Sequence, residues 1–188
     1  MNEKPTAFDP FQDRLSRDIR NDLSSTFSKA LAAGDPALIE TLVKSLLTRD
    51  LSSCYRDYIL SRIDRFRRAF DLIRKSDNDV FRQGFILWDL QLFFEVHEVL
   101  EHAWYHAQGE KKLLLQALIR AAGVYIKLEF GYSRQAGKMA ERALPVLEKN
   151  AEFLGRYFPP EEFLSALRTL DPHPPILLKD PSSLSGLQ

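Results

Sequence analysis

Residues 110–130 read EKKLLLQALIRAAGVYIKLEF and contain the most apolar of the predicted helices. Its apolar side chains recur at steps of three and four residues, which is the period of an α-helix. They are Leu113, Leu114, Ala117, Leu118, Ala121, Val124, Tyr125 and Leu128. Gly131 follows the pattern, and a glycine at that place favours the end of a helix. The sequence therefore predicts a long helix over 110–130 that lies in the core of the protein.

Signals for further helices continue on both sides of this stretch. Capping residues, prolines and glycines separate apolar runs of helical period, and no β-hairpin signal occurs. The other helices are predicted from Asp9 and Pro10 to Gly34, from Asp35 and Pro36 through Leu46, from Ser52 or Ser53 through Ile73, over 80–88, over 92–107, from Ser133 with a kink or break at Pro145, and from Pro159 and Pro160 through Leu170. We therefore expect an all-α, single-domain bundle of about seven to eight helices.

The length of 188 residues fits one domain with terminal extensions. We expect an N-terminal helical extension over 1–78 that packs on the core, and a helical core over 79–170. An extended or disordered tail is predicted over 171–188, because prolines and serines are concentrated there. Within this tail we expect residues 176–178 to dock on the body as an extended strap.

Charge and composition argue against several classes of function. Lys and Arg number 26, as do Asp and Glu, so the net charge is zero. We therefore expect no nucleic-acid partner and no membrane, because a basic excess is what nucleic acid and anionic membranes attract. The chain has no apolar run of the roughly 18 residues that a spanning helix needs, and residues 1–10 contain no apolar stretch of the length that a signal peptide has. A single cysteine, Cys54, excludes an internal disulfide and indicates a reducing compartment, so we expect a cytoplasmic location.

The most unusual polar stretch is FFEVHEVLEHAW, residues 93–104. At about 100° per residue, one side of this helix is apolar and is predicted to be buried. The apolar side consists of Phe93, Val96, Val99, Leu100 and Ala103, the other arc of Glu95, Glu98, Glu101 and His102, and the margin of His97 and Trp104. Carboxylates at steps of three and four repel one another unless a cation lies among them. Their density therefore indicates a site rather than a helix selected for stability alone.

The spacing excludes two metal motifs and leaves others open. A zinc-protease helix has its histidines four residues apart, whereas His97 and His102 are five apart and point about 140° from each other. A di-iron bundle needs a glutamate three residues before a histidine, and no histidine in this chain has one. The pairs at a spacing of four are His97 with Glu101, Glu98 with His102, and His102 with His106. Each pair fits two ligands of one divalent ion, a carboxylate that orients a histidine as a general base, or surface neighbours without a function.

Polar residues also interrupt the helix over 110–130. A short link predicts that this helix folds back antiparallel on the polar one. Gln116 and Arg120 interrupt its apolar face one turn apart. Because buried polar groups need partners, we expect them to contact Glu98 and Glu101, with Arg120 in a two-pronged pair. Such contacts fit a ligand pocket and a structural network equally.

An aromatic-Glu-x-His-Glu-x-x-Glu-x-x-Trp pattern runs through Phe94, Glu95, His97, Glu98, Glu101 and Trp104, and LQALI follows at 115–119. In these motifs the chain resembles the bacterial domain of unknown function family 309, over residues 80–154. The resemblance implies a compact helical bundle and no established activity. The pattern is retained at Glu95, His97, Glu98, Glu101, Trp104 and Gln116, and it is changed at Ala117, Arg120, Lys127 and Tyr132.

Two hypotheses for the function follow from these observations. The first is an interaction or ligand-binding module. Its partner would be a second copy of the chain or a helical protein held by Phe8, Phe11 and Phe27, or a small molecule held at the polar cluster. The alternative is a hydrolase-like enzyme that uses a metal or a general base.

The same residues are assigned to both hypotheses. His97, Glu98 and Glu101 are the predicted catalytic residues, and His97 with Glu101 are the predicted ligands of a divalent metal cofactor. The residues predicted to bind and orient a ligand are Glu95, Trp104, Gln116 and Arg120.

Overall fold

A computed structural model describes residues 6–76 and 78–178 of the chain. In these ranges the helices are α1 Arg14–Ala33, α2 Ala37–Leu47, α3 Ser53–Lys75, α4 Val80–Asp89, α5 Phe93–His106, α6 Gly109–Glu129, α7 Ser133–Lys149, α8 Ala151–Leu154 and α9 Pro160–Thr169. The described residues contain no strand, which confirms the predicted all-α fold. No helix among the described residues combines the length and the hydropathy that a membrane-spanning segment requires.

The chain divides into two compact units, Met1–Asp71 and Leu72–Gln188. The division falls inside α3, whereas the sequence predicted a boundary at residue 78. α3 passes through this point as one helix because its sequence has neither proline nor glycine between Ser53 and Lys75.

Aromatic side chains form much of the core of the first unit. Phe27 stacks on Phe66 with their ring centroids 4.6 Å apart, and both side chains are fully buried. Phe8 stacks on Tyr58 at 3.6 Å, and Phe11 is half-buried. Phe27 therefore cannot belong to the predicted docking surface of Phe8, Phe11 and Phe27, because its side chain does not reach the surface.

The first helix begins later than its predicted start at Asp9. α1 starts at Arg14, and Asp13 is its N-cap: the Asp13 side chain accepts hydrogen bonds from the backbone N–H groups of Leu15 and Ser16. The Asp9 carboxylate caps only a turn that precedes the helix. Two aspartates of the capping type lie four residues apart, and sequence alone does not distinguish them.

The second helix buries a different stripe from the one that its spacing favours. The sequence predicts a core face of Leu38, Leu42 and Leu46, with Ile39 and Val43 beside it. The structure instead buries Ile39, Val43 and Leu46, and Leu38 is 41% exposed. The buried stripe is therefore displaced by about one residue, or about 100° around the helix.

The second unit is built from antiparallel helix pairs. α5 contacts both α4 and α6, and α6 contacts α7. The buried residues of α7 include Ala136, Ala140 and Ala143. Because these side chains are small, α6 and α7 approach each other closely. At Gly123 of α6 a methyl group would overlap the terminal methyl of Met139. This packing encloses α6, whose central residues from Ala121 through Ile126 are all buried.

The sequence predicted a kink or break at Pro145, and α7 is not broken there. The helix continues to Lys149, and a separate single turn, α8, follows Asn150. Proline at 145 removes one hydrogen bond, to the carbonyl of Glu141. Both residues are exposed, so water can satisfy that carbonyl and the helix tolerates the proline.

The predicted strap is present as far as the chain is described. Residues 174–178 have no regular secondary structure, and Leu177 and Leu178 are buried. The indole Nε1–H of Trp88 donates a hydrogen bond of 3.0 Å to the carbonyl of Pro175. Residues 179–188, the rest of the predicted tail, lie outside the described residues.

Candidate metal centre

A tight turn between α4 and α5 positions the polar helix. Gln91 adopts a left-handed backbone conformation with φ 54°. The Leu92 N–H bonds the carbonyl of Leu87 at 2.9 Å, which closes the end of α4. The chain therefore reverses within three residues, and α5 begins at Phe93 alongside α4.

His97, Glu98 and Glu101 form the centre of the candidate site. His97 Nδ1 lies 3.5 Å from Glu98 Oε1 and 4.0 Å from Glu101 Oε2. The His97 ring also lies parallel to the Phe94 ring, with an interplanar angle of 6°. His97 is partly buried, with 31% of its side chain exposed, whereas Glu98 and Glu101 are 42% and 48% exposed. The imidazole therefore lies at the base of the group and the carboxylates face solvent.

The three side chains offer a compact set of donor atoms. One ligand atom from each of His97, Glu98 and Glu101 lies within 4.8 Å of the others. His97 Nδ1 is buried and has no hydrogen-bond partner among the described residues. A buried nitrogen without such a partner carries a desolvation cost that a bound cation would remove. The arrangement therefore suits a divalent ion held by one nitrogen and two carboxylate oxygens.

A known family model matches this part of the second unit. The family model described as Domain of unknown function (DUF309) matches residues 81–139. This match confirms the resemblance. The DUF309 segment contains nearly all of α4, all of α5 and α6, and the first residues of α7. Neither a curated protein nor a solved structure matches the chain at a significant level.

Within the DUF309 segment, Glu95 does not lie on the polar arc. Its side chain is only 2% exposed, although the helical projection placed it among the solvent-facing carboxylates. The projection assumed one buried side, whereas α5 is covered by α4 and by α6. Glu95 is therefore separated by its burial from the exposed carboxylates of Glu98 and Glu101.

Gln116 and Arg120 do not form the predicted network in the DUF309 segment. Both are half-buried on α6, and neither bonds Glu98 or Glu101 within the described ranges. In an antiparallel hairpin, residues equidistant from the link lie level. Because α5 ends at 106 and α6 begins at 109, Arg120 lies level with residue 95, about 5 to 9 Å along the axis from Glu98 and Glu101. The two-pronged pair is therefore not formed.

Trp104 is half-buried near the end of α5. The ammonium group of Lys112 lies over its ring, 4.4 Å from the centroid. This contact joins the last turn of α5 to the first turn of α6. Trp104 therefore has a role in the hairpin, and its predicted role toward a ligand stays a prediction.

The other two histidines of α5 lie outside the donor group. His102 and His106 are exposed, and their rings contact each other edge to face at 5.4 Å. Neither contributes to the candidate metal group of the described residues. These residues therefore serve as internal comparisons for His97.

Sequence reasoning missed Asp89, the last residue of α4. Its carboxylate accepts hydrogen bonds from the backbone N–H groups of Leu177 and Leu178, at 2.7 and 2.8 Å. Burial raises the pKa of Asp89 to about 6, and the two N–H donors oppose part of that rise. The only signal in the sequence was a carboxylate directly after the apolar run that ends in Trp88, because its partners are almost ninety residues away.

Proposed function

We propose that the chain is a helical binding module that takes up a divalent cation at His97, Glu98 and Glu101. The observation that carries the proposal is the set of three donor atoms within 4.8 Å of one another. Donors bound to zinc lie about 2.0–2.2 Å from the ion, so two of them are at most about 4.4 Å apart. In tetrahedral geometry the donors lie about 3.3–3.6 Å apart, so rotations of the side chains that move these atoms by about 1–1.5 Å bring the group to binding distance.

The donor types favour a late first-row ion. One imidazole nitrogen with two carboxylate oxygens suits Zn²⁺ or a neighbour such as Co²⁺, whereas Mg²⁺ and Ca²⁺ prefer oxygen alone. Three protein ligands on a half-exposed surface also leave a coordination position for water or for a small molecule. The bound ion would therefore be the anchor for an external ligand.

Metal titration with matched variants tests this proposal. After treatment with EDTA and its removal, the protein is titrated with Zn²⁺ by calorimetry and with Co²⁺ by visible absorption. We expect saturable binding at one site, which His97→Gln abolishes and Glu101→Gln weakens at least tenfold, about 1.4 kcal/mol.

The controls lie on the same helix. His102→Gln and His106→Gln each remove an exposed imidazole, and we expect both variants to bind Zn²⁺ as the parent does. Equal losses in all three histidine variants, or no saturable binding below about 1 mM, would refute the proposal.

A metal-assisted hydrolase is the second candidate, and the exposure of Glu98 and Glu101 favours it. Their 42% and 48% exposure leaves the outer side of the ion open to water. A zinc ion lowers the pKa of its bound water to about 7 and so supplies a nucleophile. Hydrolysis of 4-nitrophenyl acetate that requires Zn²⁺, and that is lost in His97→Gln but kept in His102→Gln, would support this reaction class.

The cytoplasmic location and a homodimer belong to the same proposal. A single cysteine, which can form no internal disulfide, supports a reducing compartment. The dimer is tested by a light-scattering mass at high protein concentration. A monomer mass would remove the dimer and leave the metal site unaffected, because all three ligands come from one helix.

A further inference from the structure

A separate cavity lies beside the N-terminal ends of α4 and α6. It has a volume of about 510 Å³ and lies between the beginnings of α4 and α6 and the end of α7 with α8. Small-molecule sites usually measure about 300–1,000 Å³. None of the residues assigned to the candidate metal centre lines it. The cavity is therefore a second place at which this unit can receive a ligand.

Three aromatic rings form a wall of the cavity. Phe81 and Phe153 meet edge to face at 5.0 Å, and Tyr157 lies 5.7 Å from Phe153 and 6.2 Å from Phe81. Leu114, a buried residue of α6, also lines the cavity. Such a surface fits a flat apolar group, because aromatic rings pack edge to face or offset against another ring.

The two carboxylates of the cavity are already engaged. Asp79 accepts a hydrogen bond from the Phe81 N–H at 3.0 Å and another from the Tyr157 hydroxyl at 2.6 Å. Glu110 accepts a hydrogen bond from the ammonium group of Lys149 at 2.7 Å, and this pair lowers the pKa of Glu110. Lys149 therefore balances the charge of Glu110, and each oxygen of Asp79 already accepts one hydrogen bond.

Lys111 is the charged group that remains available. Its side chain is exposed, and its Nζ lies 6.0 Å from the centroid of the Phe81 ring. In the described part of the chain Lys111 makes no ion pair with a carboxylate. An ammonium group at the edge of an apolar wall complements a ligand whose anionic group extends from an apolar body.

We propose that this cavity binds a small organic anion with an aromatic body, such as an aryl carboxylate. The ring lies against Phe81 and Phe153, and the carboxylate pairs with the ammonium group of Lys111. The preference for a negative charge follows from the ammonium group of Lys111 and from the pairing of Glu110 with Lys149, and the preference for an aromatic body follows from the wall.

Three probes of equal shape and different charge test the proposal. NMR titrations in EDTA compare 3-phenylpropionate, 3-phenylpropanamide and 3-phenylpropylammonium, with the ring signals of Phe81, Phe153 and Tyr157 as the readout. We expect saturable shifts of these signals, tightest for the propionate and weakest for the ammonium compound. Tighter binding of the ammonium compound, or no saturable shift with the propionate, would overturn the proposal.

Two lysine variants separate the local charge from the general one. Lys111→Gln should weaken 3-phenylpropionate about two- to fivefold and leave the neutral amide unchanged. Lys138→Gln, an exposed lysine of α7 outside the cavity, should leave both affinities as they are. Equal effects of the two variants would show that Lys111 has no specific role. Because EDTA removes divalent metals, these results do not depend on the metal proposal.

Discussion

Two acidic sites of the second unit differ in the burial and in the bonding partners of their carboxylates. Asp89 at the end of α4 is enclosed, and its two oxygens accept hydrogen bonds from Leu177 and Leu178. Glu98 and Glu101 on α5 are almost half exposed, and their carboxylate oxygens lie 3.5 and 4.0 Å from Nδ1 of His97. The two sites lie on consecutive helices joined by a tight turn.

The difference separates a structural carboxylate from carboxylates that suit a ligand. A buried acid that serves the fold has its lone pairs bonded by the protein itself. Crowded acids that remain open to solvent repel one another, and a cation relieves that repulsion. We therefore expect the loss of the Asp89 carboxylate to destabilise the fold, because it removes two hydrogen-bond acceptors, and the loss of the Glu98 charge to leave stability unchanged or higher.

The largest expected effect is that of Asp89→Ala. It leaves the N–H groups of Leu177 and Leu178 buried without acceptors, at about 1–3 kcal/mol each, and loosens the packing of both leucines. We expect a loss of about 4 kcal/mol in the free energy of unfolding in urea at pH 7. Asp89→Asn keeps one acceptor and buries no charge, so it should cost less than Asp89→Ala. A loss below 1 kcal/mol for Asp89→Ala would mean that the strap contributes little to the fold.

The pH dependence of stability tests the same carboxylate. Burial raises the pKa of Asp89 from 3.8 to about 6, so the folded protein binds this proton more tightly than the unfolded chain does. The contribution to stability is therefore complete below about pH 4 and is lost as the pH rises through 6. At about 1.36 kcal/mol per unit, the loss is at most about 3 kcal/mol. Unfolding of the parent and of Asp89→Asn from pH 4 to pH 8 measures it, and parallel curves would contradict the raised pKa.

Added Zn²⁺ should stabilise the folded protein only through the site of His97, Glu98 and Glu101. At a free Zn²⁺ concentration of 100 times Kd, binding to the folded state adds about 2.7 kcal/mol to the free energy of unfolding. We expect this gain in the parent and in Asp89→Asn, and none in His97→Gln. A gain that persists in His97→Gln would place the ion elsewhere in the chain.

Glu98→Gln should have the smallest effect in the absence of metal. Removal of one of two crowded charges should leave the stability unchanged or raise it by about 0.5 kcal/mol. If Glu98 instead belonged to a buried network, the variant should lose about 3 kcal/mol with or without metal. Urea unfolding of parent and variant in EDTA distinguishes the two, and the sign of the change is the result that matters.

Much of the fold could be predicted because its signals are local. Gly34 and Gly131 lie just past the ends of α1 and α6 with positive φ, as a glycine after a helix favours. Asp79 caps α4, and the apolar period of α6 predicted its burial. The start of α1 was wrong because Asp9 and Asp13 give the same local signal and only the packed structure selects one.

The candidate site was predicted in its composition and not in its contacts. The spacing of His97 and Glu101 brought these residues together, since a helix fixes neighbours at a step of four. The burial of Glu95 and the missing pair of Arg120 depend on how α5 lies between two other helices. A helical projection of α5 shows neither that a second helix covers it nor which of its residues lie beside Arg120 along the helix axis.

The strap has a consequence for the order in which the protein is synthesised. The partners of Trp88 and Asp89 are Pro175, Leu177 and Leu178, separated from them by 87 to 89 positions in the chain. A ribosome therefore completes α4 long before it makes the residues that close over its end. Until residue 178 leaves the exit tunnel, the indole and the carboxylate remain open to water or to a chaperone. The end of α4 is thus closed only by some of the last described residues to be made.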